Sequence, residues 1–289
     1  MKETIDVGTL VDLVVARAKV DKTSPDTNNP RVGWRTDQLL TGDVDVLVCY
    51  RHNDPAVYAE IGRQVLAQVK DLPEMAVLAN LAIFRGERLL PVSEERKQSL
   101  LQMVDDLEKA ISALPEGTRK GRCSSLLQYH TGVFYDAYGC FDQAAAAQLQ
   151  AAKEAEKIGD LPGAVISSFL GTAYQLKSAL CCKSTDETEA TFSVLEERYA
   201  QLVEAVRGTE LEVSWGQGNA PMHMVEVCAL LGRGHPDWDK WVATALAAAE
   251  RLGQAFKQGA EFVRAFDLDQ RGDAGGGHAS PTFRRARRR

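Results

Sequence analysis

Between Tyr129 and Asp160 the chain reads YHTGVFYDAYGCFDQAAAAQLQAAKEAEKIGD. Small residues (Gly132, Gly139, Ala144, Ala151, Ala155) take turns there with aromatic ones (Tyr135, Tyr138, Phe141). Two helices approach closely only where one of them lacks bulk, and a ring beside such a position fills the space around it. The pattern therefore predicts two helices, broken near Gly139, that share a tight seam. It recurs further on: TGVFY at 131–135 aligns with LGTAY at 170–174. Gly132 then falls on Gly171 and Tyr135 on Tyr174, each pair 39 residues apart. A period of that size fits one helical hairpin, and hairpins stack so that each covers the face its neighbour exposes.

The flanking chain obeys the same rhythm. PEMAVLANLAIFRG, from Pro73, is apolar nearly all round and reads as a buried helix. SEERKQSLLQMVDDLEKAIS opens on Ser93 as N-cap with two glutamates behind it, where the helix dipole favours acid. Its stripe of Leu100, Val104, Leu107 and Ile111 keeps helical spacing. Helices are expected at about 122–138, 141–158 and 162–180. The next begins with a Ser184/Glu187 capping box and carries the stripe Phe192, Leu195, Tyr199, Leu202 and Val206. RGTELEVSWGQGN, from Arg207, reads as loop, and the last helices as 221–231 and 237–265. Before Pro73, Leu10–Val20 suits a short helix or strand. DKTSPDTNNPRVG is loop by composition. DVDVLVCY, from Asp43, has strand length, and a helix follows with Asp54 as cap and Pro55 at its first position.

Residues 122–180 resemble the tetratricopeptide repeat. In that family the first helix carries a large residue, a Gly and a Tyr; the second follows a Gly–x–aromatic turn and carries Ala at two set positions. Those roles fall on Gly132, Tyr135, Gly139, Phe141, Ala144 and Ala151. AAKEAEKIGDLPGAVISSFLGTAY (151–174) is similar to the longer variant of the repeat in bacterial signalling proteins. The resemblance implies an all-α, helical-hairpin α-solenoid over 73–266. It would follow an irregular segment (1–42) and a strand–helix unit (43–72), and precede a disordered basic tail (267–289). It also implies a concave groove lined by the first helix of each hairpin. The groove positions are Tyr129, Val133, Asp136 and Ala137 in one copy, and Ser168, Thr172, Gln175 and Leu176 in the next. That mildly polar set suits an extended peptide or a helix from a protein partner better than a small metabolite.

Other chemistry is sparse. Tyr50, Arg51, His52, Asn53 and Asp54 stand where a TIR domain has its first strand-to-helix loop. That likeness implies a remnant or part of an NAD-cleaving signalling or defence protein. After Lys70, however, the sequence offers only helices and no later strand with a catalytic Glu. His52, His130, His223, His235 and His278 form no paired metal-binding spacing. Cofactors, metals and catalytic residues are accordingly expected to be none. The six cysteines show no CxxC and read as reduced and mostly buried, Cys181 and Cys182 among them. Trp238 and Trp241 share a helix face and are expected to pack on the preceding hairpin.

Net charge is −6, and five of the last six residues are arginine, so the chain ahead of them carries −11. An acidic body is a poor binder of phosphate backbones, which leaves nucleic acid only the tail. No window is apolar enough to span a membrane and the start does not read as a signal peptide. The expectation is a cytoplasmic interaction module whose oligomeric state the residues do not specify.

Overall fold

The computed structural model describes residues 8, 11–12, 15–16, 55–69, 71–182, 185–209, 211–231 and 236–252. Every regular element among them is helical: α1 (Pro55–Gln68), α2 (Pro73–Arg88), α3 (Glu94–Ser112), α4 (Thr118–Ala137), α5 (Phe141–Lys157), α6 (Leu161–Cys182), α7 (Thr185–Val206), a π-helical segment (Glu212–Asn219), α8 (Ala220–Leu231) and α9 (Trp238–Leu252). The strand expected at 44–49, the Ser184 cap, the residues beyond Leu252 and the basic tail lie outside the described residues. The chain divides into two compact units, Met1–Ser178 and Ala179–Arg289, with the boundary inside α6.

In the first unit α2 is the central rod. It packs along α1 and against α3 and α4, while α3 also packs on α4 and α4 on α5. This follows from its sequence: Met75, Val77, Leu78, Ala79, Leu81, Ala82 and Phe84 point to every side and all are buried. Gly62 makes the α1 contact possible. A Cβ there would lie 2.6 Å from the Ala79 carbonyl oxygen and 2.7 Å from Ile83 Cγ1, so the helices could not lie this close with any larger residue. On α3, the Arg96 amide donates to Ser93 Oγ at 3.2 Å, and Leu100, Val104, Leu107 and Ile111 are all buried. Phe84 of α2 meets Phe134 of α4 edge-on, at 6.3 Å between ring centres. Within Leu10–Val20 the described residues are helical, and Val11 and Val15 join this core.

Two joints have the same construction. Helix α4 ends where the Gly139 amide bonds to the Asp136 carbonyl and the Cys140 amide to that of Tyr135. Helix α5 ends where the Gly159 amide bonds to Glu156 and the Asp160 amide to Ala155. Both are Schellman turns, which place one residue in the left-handed region. Gly139 (φ 71°) and Gly159 (φ 76°) take it without a Cβ penalty.

In the second unit, Phe192, Leu195, Leu202 and Val206 of α7 are buried as their spacing predicts. Tyr199, on the same stripe, meets buried Trp241 of α9 edge-on, with ring centres 4.7 Å apart. One expectation is corrected: the segment read as loop after Arg207 is π-helical over Glu212–Asn219 and runs directly into α8. It packs against α7, α8 and α9, with Trp215 buried and its ring stacked 6.4 Å from that of His223. Glycine-rich composition signals a turn, but here the apolar Leu211 and Trp215 draw the backbone into the unit. Cys181 is also corrected, being exposed where a buried thiol was expected, whereas Cys123 and Cys228 are buried. Burial pushes the Cys228 thiol up to about 12, which keeps it protonated and unreactive.

Candidate functional site

Helices α2 and α4 lie side by side, and their facing polar residues meet. Arg85 and Arg88 sit three apart on the last turn of α2, a spacing that gives them one face. Arg88 Nη2 lies 3.2 Å from His130 Nδ1 on α4. Tyr129 packs edge-on to His130 at 5.1 Å between ring centres, and its carbonyl accepts from Gln148 Nε2 of α5 at 2.9 Å. Tyr174 of α6 stands near enough to push the Arg88 pKa up, as Tyr129 does.

The protonation pattern follows from this geometry. A guanidinium is always a donor, so His130 Nδ1 accepts, and the ring is the neutral tautomer with its proton on Nε2. Burial holds His130 well below its ordinary pKa, and the charges of Arg88, Arg85 and Arg122 push the same way. Arg88 is itself lowered to about 10, chiefly by burial, with Arg85 adding to the effect while Tyr129 and Tyr174 oppose it. Its Nε is sealed from solvent without a hydrogen-bond partner. Two further buried atoms nearby on α4 and α5, Thr131 Oγ1 and Gln148 Oε1, also lack one.

Because folded His130 resists a proton that unfolded His130 accepts, the sign of its pH dependence is fixed. Its contribution to stability is fully present above pH 6.5 and is lost as pH falls below that value towards the folded pKa. The slope is up to about 1.4 kcal/mol per pH unit. Urea melts between pH 7 and 5 are expected to show wild type losing stability more steeply than His130→Gln. Parallel curves would refute the neutral assignment.

One buried and one part-buried ion pair brace the same region. Arg122 Nη1 meets Asp160 Oδ2 at 2.9 Å, their side chains 3% and 0% exposed. Lys177 Nζ meets Asp136 Oδ1 at 2.8 Å and lies over the rings of Tyr174 and Phe141. Asp160 also accepts from the Gly163 amide at 3.1 Å, which makes it the cap of α6.

The groove positions expected from the repeat fall unevenly. Tyr129, Val133 and Ser168 are half-buried, and Ala137 and Gln175 are exposed. Asp136 is half-buried and committed to Lys177. Thr172 and Leu176 are buried, so neither side chain presents a surface to a partner. The Thr172 hydroxyl donates to the Ser168 carbonyl at 3.0 Å, and the neighbouring Gly171 seats α6 on Leu149 of α5. Arg85, Arg88, His130 and Tyr174 were not expected. The available signal was the Arg85–Arg88 pair at the end of a helix otherwise apolar all round.

Among the described residues no group of three His, Cys, Asp or Glu side chains is placed to hold a metal ion, and no helix is long and apolar enough to cross a membrane. Tyr50, Arg51, His52, Asn53 and Asp54 of the TIR-like stretch lie outside the described residues. The helix that follows them, α1, packs along α2. No family model, curated protein or solved structure matches the chain.

Proposed function

We propose that this chain is a protein-interaction module of tetratricopeptide-like construction, of the kind used in bacterial signalling and regulation. In it, α2–α3 and α4–α5 act as successive hairpins continued by α6. The supporting observation is the side-by-side packing of α2 and α4, which gathers Arg88, Tyr129 and His130 from different hairpins onto one face. A preformed face of this kind holds a partner with little ordering cost. The recognised element is a peptide or a protein segment, with Tyr129, Val133, Ala137, Ser168 and Gln175 as its contact positions.

The test is quantitative capture. Partner retained by tagged wild type is identified, and its affinity is then measured against Tyr129→Ala. A loss of tenfold or more is expected, about 1.4 kcal/mol, with an unchanged far-ultraviolet circular dichroism spectrum. Equal affinity would remove the face from the reading.

A further inference from the structure

We propose that Arg88, with His130 beside it and Arg85, Tyr129 and Tyr174 around it, is the seat for a compact oxyanion, a carboxylate or a phosphate group, carried by the partner. Among the described residues the buried cations Arg122 and Lys177 each meet a carboxylate, that of Asp160 and of Asp136. Half-buried Arg88 is joined to no acid among them. Among the described residues its hydrogen-bond partner is the neutral ring of His130, and its Nε is enclosed with nothing to donate to.

Folding normally avoids enclosing a guanidinium nitrogen in this way, because a polar group removed from water is costly unless a partner answers it. A carboxylate would cost least beside Arg88, yet among the described residues α4 places a neutral imidazole there. The arrangement keeps the guanidinium charged and its fork uncommitted to an internal acid. A planar donor of this kind matches the two oxygens of a carboxylate or phosphate. The protonated Nε2 of His130 is a donor of the same sense. An internal acid would compete with such a ligand, and among the described residues none is paired with Arg88.

The extension from anion to partner rests on the interaction-module reading; the anion seat does not. Thermal unfolding of the full chain in sodium phosphate, sodium glutarate or sodium chloride at matched ionic strength tests the seat alone. A specific anion at a hundredfold over its Kd is expected to raise Tm by about 4 °C or more over chloride. A rise with phosphate alone assigns a phosphate seat, and a rise with glutarate alone a carboxylate seat. Arg88→Met should abolish the response while leaving the anion-free Tm equal or higher, since it removes an unanswered charge. Arg88→Lys keeps the charge but loses the fork, and titration should show its affinity reduced at least tenfold. No rise over chloride in wild type, or an undiminished response in either variant, overturns the proposal. Partner capture and anion response are separate readouts, so either reading can fail without the other.

Discussion

Asp160→Ala is expected to destabilise the first unit by about 3–5 kcal/mol, the range for breaking a buried ion pair from one side. The carboxylate is fully enclosed and 2.9 Å from Arg122 Nη1, which is itself only 3% exposed. Deleting it takes away the carboxylate that Arg122 meets where water barely reaches, and that penalty far exceeds the roughly 1 kcal/mol due to the lost cap at Gly163. Asp160→Asn separates the two losses, since the amide oxygen still caps α6. Most of the effect should therefore persist in Asp160→Asn. Because the damage comes from a buried charge that has lost its carboxylate, Arg122→Leu combined with Asp160→Asn should recover part of it. Urea midpoints for the four proteins decide the matter. A shift under 1 kcal/mol for Asp160→Ala, or a double variant no better than Asp160→Asn, would show that the pair is not what holds α4 to the α5–α6 joint.

Gly132→Leu is expected to cost about 3 kcal/mol, the upper part of the range for overpacking. A Cβ at this position already meets Gln148 Cγ and Nε2 at 2.7 Å. Alanine would regain up to about 1 kcal/mol of helix propensity, enough to mask part of the clash. Leucine gains nearly the same propensity but adds three more carbons to the clash. The neighbour that must move is Gln148, whose Nε2 holds the Tyr129 carbonyl, so the damage spreads from the α4–α5 seam to the polar face. Gly132→Leu with Gln148→Ala should regain part of the loss by making room. A melting temperature within 2 °C of wild type for Gly132→Leu would mean that α4 and α5 are not in tight contact here.

Periodic features were legible because each is set by neighbours a turn or two away. The stripe on α3, the breaks at Gly139 and Gly159 and the close seam at Gly132 all depend on spacing within one or two helices. Arg88 and His130 are 42 residues apart, and only the packing of α2 on α4 brings them together. Neither residue looks unusual in its own helix. Gly62 was overlooked for a related reason: a helical glycine reads as a weakness until the partner backbone beneath it is known. At Glu212–Asn219 a local rule misled, because glycine content outweighed the burial of Leu211 and Trp215. For Thr172 and Leu176, the positions carried over from the repeat pattern turned inward with the burial of α6.

Asp160 does double duty at the joint between α5 and α6. Its amide closes one helix, its carboxylate opens the next, and the same carboxylate is bolted to α4 through Arg122. Such a joint is a weld rather than a hinge, because backbone, cap and ion-pair bonds cross it at one residue. Torque applied to α4 would pass into α6 through that residue.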